Sequence, residues 1–104
     1  SYVIEDGFPV TKGHLLVISK RHVKDYFELS EDEHRSVFDL LAKHRKQIQK
    51  EDPSVSGFNV GMNSGQSAGQ TIFHCHVHLI PRRAGDVEDP RGGVRHVIPG
   101  KGNY

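Results

Sequence analysis

From Phe73 to Leu79 polar and apolar residues alternate without a break: Phe73-His74-Cys75-His76-Val77-His78-Leu79, followed by Ile80. A period of two belongs to a β-strand, where residues i, i+2 and i+4 share one face. That reading puts Phe73, Cys75, Val77 and Leu79 on a face that packs into a core. His74, His76 and His78 line the other. Imidazoles are costly to bury and add little to packing, but they give and take protons near neutral pH. A row of three on one strand face therefore points to chemistry.

The rest of the chain supplies partners for such a strand. Tyr2 to Glu5 is a short strand candidate, and Asp6-Gly7-Phe8-Pro9 reads as a turn. Leu15-Leu16-Val17-Ile18 is a second, buried strand. His22 to Leu29 is amphipathic and short, enough for a helical turn. Ser30-Glu31-Asp32-Glu33 is a capping box opening a long helix, with Val37, Leu40, Leu41, His44 and Ile48 on its inner face. The helix is expected to end by Asp52-Pro53. Phe58 to Met62 alternates as a third strand, and Asn63 to Thr71 is a polar, Gly-rich loop. The histidine strand is expected to stop at Pro81, with an extended tail from Arg82 onward. Strands separated from one long helix argue for an α+β fold with an antiparallel sheet.

The 104 residues form one domain, long enough to bury about 65% of the unfolded surface. A formal charge of +1 gives no strong field for nucleic acid or membrane, and no span or signal peptide is visible. One cysteine, Cys75, makes an internal disulfide impossible and fits a reducing, cytoplasmic setting. On the apolar face of its strand it reads as a small core residue. The chain opens on Ser-Tyr-Val-Ile without Met, as if cut inside or just before a strand.

The histidines admit three readings. One is a zinc module, although three imidazoles in a row span about 13 Å, too far for easy convergence on one zinc; two of them with His14 could still manage it. Another is nucleophilic and acid–base catalysis. The third is accident. The loop Gly65-Gln66-Ser67-Ala68-Gly69-Gln70-Thr71 tips the balance toward catalysis, because Gly-rich backbone just before the row can cradle phosphate, with Gln70 and Thr71 adding donors. His14 joins the row if its strand neighbours that of the triad. His22, His34, His44 and His96 lack comparable context.

His74-Cys75-His76-Val77-His78-Leu79-Ile80 resembles the signature of the histidine triad family, His-φ-His-φ-His-φ-φ with φ apolar. Gly13-His14-Leu15-Leu16-Val17-Ile18 is similar to the family's Gly-His-x-Leu-Val-Ile strand, with Ser19 where relatives often carry Pro. Asn63 to Thr71 resembles its loop, and Asp89-Pro90-Arg91-Gly92-Gly93 looks like the tail of a small bacterial branch.

The resemblance implies a five-stranded antiparallel sheet with one long and one short helix. It also implies a homodimer, and an N-terminal segment that in relatives helps build the base pocket. It implies hydrolysis or transfer at the α-phosphorus of a small nucleotide, a nucleoside phosphoramidate or a dinucleoside polyphosphate. His76 would be the nucleophile, its second nitrogen held by a backbone carbonyl. His78 would contact the phosphate and protonate the leaving group, and His14 would assist. His74 would support the site. Asn63, Gln70 and Thr71 would bind phosphate oxygens or the leaving group, and Asp6 the ribose hydroxyls. No cofactor is expected, a divalent cation arriving only with the substrate. His78 at the third triad position favours the hydrolase branches over the nucleotidyl transferases. The other classes to weigh are a nucleotide-binding scaffold with little activity, and the zinc module.

Overall fold

The structure is a computed structural model and describes residues 1–103. Its elements run β1 (Tyr2–Glu5), β2 (Leu15–Ile18), α1 (Glu31–Glu51), β3 (Val55–Gly61) and β4 (His76–Arg83), with 3-10 turns at Tyr26–Glu28, Gln66–Ala68 and Gly93–Val97. The strands form one antiparallel sheet in the order β1-β2-β4-β3. The α+β class is as read from the sequence. The sheet has four strands among the described residues, not five, because only four segments carry strand pairing. The second helix is the single 3-10 turn Tyr26–Glu28.

α1 begins where its cap dictates. Ser30 Oγ accepts from the Glu33 N–H at 3.1 Å, and Glu33 answers on the Ser30 N–H at 2.9 Å. The helix ends at Glu51, where the Asp52 N–H closes the last turn on Ile48 O and Pro53 follows. Val37 is buried on its inner face with Leu40 and Leu41 beside it. They pack on Val17, Val23, Leu29, Cys75 and Val77, and this side of the sheet is the core. Cys75 lies within that core, 1% exposed.

β4 differs from its expected limits at both ends. It starts at His76, not Phe73. The preceding residues run beside β2's continuation, held by Cys75 N–H to Val23 O and Ser19 N–H to Cys75 O. It also passes through Pro81 to Arg83. The carbonyl of Pro81 accepts from Thr11 Oγ1 at 2.8 Å, so its nitrogen also faces the β2 side. The β2 pairing ends at Leu15–Leu79, and no ladder donor is needed there.

The tail is not extended throughout. Asp86 accepts from Arg82 and from the Arg83 N–H and curls the chain back. Gly92 and Gly93, both at positive φ, open the turn Gly93–Val97 over the sheet's open face beside Asn59. Arg82 and Arg83 are taken up by Asp86, Asn59 and Asp52 and serve the fold.

Candidate active site

Strand alternation leaves His76, His78 and Ile80 on the open face of the sheet, while Val77, Leu79 and Pro81 are buried beneath. Register sets their neighbours: Ile18 beside His76, Leu16 and Gly61 beside His78, Asn59 beside Ile80. β1 extends the same face with Tyr2 beside Ile18 and Ile4 beside Leu16.

His76 is half-buried, and its Nδ1 donates to His74 O at 2.8 Å. That bond fixes the proton on Nδ1 and leaves a lone pair on Nε2. Two hollows flank the ring row. One, about 280 Å³, is walled by Tyr2, Ile4, Leu16, Ile18 and Ile72 beside His74 and His76. The other, about 620 Å³, lies beside His14 and His78, with Asn59, Asn63, Met62, Val94 and Val97 in its walls.

His14 is buried at 3% exposure and sits just before β2, as expected of a strand that neighbours the triad. Its Nδ1 accepts from the Val10 N–H at 3.2 Å, so its proton belongs on Nε2. That Nε2 lies 2.9 Å from His78 Nδ1 and donates to it. His78 is then the tautomer with Nε2–H, turned toward the larger hollow. Burial, with His14 and His76 nearby, holds His78 below the ordinary imidazole pKa, against the upward pull of Asp6.

Asp6 belongs to this pair. Its Oδ2 is 3.4 Å from His14 Nε2 and 3.9 Å from His78 Nδ1, while Oδ1 accepts from the Phe8 N–H at 2.8 Å. These three residues offer ligand atoms within 4.8 Å of one another, a spacing near that of a zinc tetrahedron. The protonation does not fit. A neutral imidazole bound through Nε2 needs its proton on Nδ1, and Val10 makes Nδ1 of His14 an acceptor. The Val10 bond thus fits a proton, rather than a metal ion, on His14 Nε2.

His74 stands just before β4 and so outside the strand row, although it shares a hollow with His76. Its Nε2 donates to Ser19 O at 2.6 Å, and its Nδ1 accepts from His22 Nδ1 at 2.9 Å. Both nitrogens are committed, which suits a supporting role. His22, which looks isolated in sequence, is the partner missed there; only the fold brings it to a residue 52 positions away.

The loop is cinched from inside. Gly65 and Gly69, at φ 95° and 93°, bracket its turn. Gln70 is 4% exposed; its Oε1 accepts from the Gly65 N–H, and its Nε2 donates to Lys24 O and Ile72 O. This corrects the reading of Gln70 as a phosphate donor: the amide is fully engaged in bracing the loop. Thr71 is exposed at the loop's end, and exposed Asn63 opens on the larger hollow.

A layer of helix under a sheet, with imidazoles on the sheet's free face between two ligand-sized hollows, defines a class of small-molecule site. The comparisons make it specific. Residues 1–85 match the HIT domain model, and the chain belongs to that family. It is 40% identical to Protein hit of Bacillus subtilis over 73 residues, covering 70% of this chain and 50% of that protein. It is 38% identical to the asymmetrical bis(5'-nucleosyl)-tetraphosphatase of Schizosaccharomyces pombe over 81 residues, covering 78% of this chain and 44% of that protein. A crystal structure of a HIT family protein from Bacillus anthracis superimposes with a TM-score of 0.75 at 42% identity, covering 81% of this chain and 59% of that one. The chain spans about half the length of these curated relatives. None of its described helices is long and apolar enough to cross a membrane.

Proposed function

We propose that this chain is a nucleotide hydrolase that attacks the α-phosphorus of a nucleoside phosphoramidate or dinucleoside polyphosphate through His76. The observation that carries the reading is the bond from His76 Nδ1 to His74 O, which leaves a bare Nε2 on a ring that lines the smaller hollow and neighbours His78 of the larger one. A neutral imidazole so oriented is a competent nucleophile at pH 7. The kinship with a dinucleoside tetraphosphatase supports the substrate class.

In the first step the Nε2 lone pair of His76 forms a bond to phosphorus as the bond to the leaving group breaks. His78 enters this step as the imidazolium, and the leaving group takes its Nε2 proton, leaving the ring neutral. In the second, water attacks phosphorus, the bond to His76 breaks, and His78 takes the proton from water. A nucleoside monophosphate is released. The apolar hollow of Tyr2, Ile4, Leu16 and Ile18 suits a nucleobase, and the hollow beside His78 suits the leaving group. Thr71 and Asn63 would meet phosphate oxygens or the leaving group. The chemistry needs no cofactor; a divalent cation enters only on polyphosphate substrates. We further propose a homodimer, since β3 is an edge strand that a second copy would cover.

The test is turnover of adenosine phosphoramidate and diadenosine tetraphosphate, with and without chelator, followed by acid quench and mass mapping. Wild-type protein should turn over at least one substrate and carry an adenylyl group on His76. His76→Ala should lose about 10³-fold or more without unfolding. Nucleotide binding without turnover in the wild type would make the chain a binding protein instead.

A further inference from the structure

We propose that Asp6 is a positioning residue whose carboxylate lets the facing nitrogens of His14 and His78 carry two protons at once, so that His78 serves as acid and then as base. This rests on the reading of His78 as the group that exchanges protons with leaving group and water.

With one proton between them, the two rings form a single bond, His14 Nε2–H to His78 Nδ1 at 2.9 Å. In that state His78 cannot release its Nε2 proton without becoming an imidazolate. It must first gain a proton on Nδ1, which brings two N–H groups face to face. His14 cannot move its own proton away, because the Val10 N–H occupies its Nδ1. An acceptor beside the pair resolves the conflict, and Asp6 Oδ2 is there, 3.4 Å from one nitrogen and 3.9 Å from the other. Small tilts of both rings let each N–H point at that oxygen.

The carboxylate is fixed for this task. Oδ1 is tied to the Phe8 N–H, and the Asp6 N–H donates to His14 O at 3.0 Å, so the acid and the imidazole move together. Exposures of 3%, 16% and 23% for His14, Asp6 and His78 side chains keep water from screening the charge. His76 neighbours His78 on its own strand, and the hollow His78 faces is lined by Asn59 of β3, Asn63 of the loop after it, and Val94 and Val97 of the tail, with no acidic residue among the described lining.

The cycle then balances. The substrate's anionic phosphate and Asp6 together hold His78 as an imidazolium. Its Nε2 proton leaves with the departing group as the phosphorus bond to His76 forms. His78 is now neutral with Nδ1–H on Asp6 and a bare Nε2 toward water. The attacking water returns the proton to Nε2 as the bond to His76 breaks.

Asp6→Asn keeps the size of the side chain and the bond from Phe8. The first measurement is a titration of imidazole ¹⁵N shifts with adenosine monophosphate present, which needs no turnover. The His78 midpoint should fall in Asp6→Asn; an unmoved midpoint overturns the proposal even if the hydrolase reading also fails. The second is kinetic. With an alkylamine phosphoramidate, kcat should drop about 10²-fold with KM nearly constant, and the alkaline limb of the pH profile should move down. A p-nitrophenyl ester, whose leaving group needs no proton, should lose far less. The loss should persist on a 2',3'-dideoxy substrate. A loss confined to KM that vanishes on the dideoxy substrate would make Asp6 a ribose ligand and sink the idea.

Discussion

Replacing Gln70 separates a brace from a substrate contact. The side chain is 4% exposed and makes three bonds, with Gly65 N–H at 2.9 Å, Lys24 O at 2.7 Å and Ile72 O at 3.1 Å. Gln70→Met keeps the length and removes all three. At about 1 kcal/mol net per bond the loss is about 3 kcal/mol. Lys24, Ile72 and the outer loop are exposed, so water recovers part of it, and about 2–3 kcal/mol is expected. With a urea slope of about 1–1.5 kcal/mol/M for a domain of this size, the midpoint should fall by about 2 M. The melting temperature should fall by roughly 10–20 °C. Urea denaturation followed by far-UV circular dichroism reads this directly. A midpoint within about 0.3 M of wild type, alongside collapsed turnover, would refute the bracing argument and return the amide to the substrate.

Leu79→Ala empties a site 1% exposed in a central strand and should cost about 3–4 kcal/mol by the same assay. Gly13 sits at φ 91° with an added Cβ only 3.3 Å from Pro81 Cγ. Gly13→Ala should therefore cost about 1–2 kcal/mol in backbone strain and slow turnover by shifting His14. Glu33 is held at about 2, chiefly by its hydrogen bond from Arg21, and Asp52 at about 2, chiefly by that from Arg83. Both lie below their unfolded values, so their stabilisation is complete above about pH 5 and disappears as pH falls toward 2. Glu33→Gln, which keeps the capping box, should flatten the acid decline of the urea midpoint. His78, also held low, withdraws stability in the same direction but earlier, below about pH 6.5.

Much of the scaffold was legible because each element carries its own local code. Ser30 and Glu33 announce α1, and the alternation through Val77 and Leu79 announces β4 and its two faces. The backbone carbonyl that the family resemblance implies for His76 is that of His74. What failed was non-local. Pro81 looks like a terminator until one knows that β2 has already ended beside it. Gln70 looks like a phosphate donor until the loop folds over its amide. His22 looks idle because the turn that carries it to His74 is made by tertiary contacts. The closeness of the Asp6 carboxylate to two imidazoles, 3.4 Å from His14 Nε2 and 3.9 Å from His78 Nδ1, likewise needs the β1–β2 pairing and shows in no local pattern.

Pro81 has one more consequence. Residues 79 and 81 direct their backbone groups to the same side, and Leu79 is bonded to Leu15 there. Were β4 to slide two places along β2, the imino residue would arrive opposite Leu15 with nothing to donate. The ring thus works as a ratchet stop. A sliding error that would keep the imidazoles facing outward, yet draw them out of line with His14, is penalised at the one rung where a hydrogen is lacking.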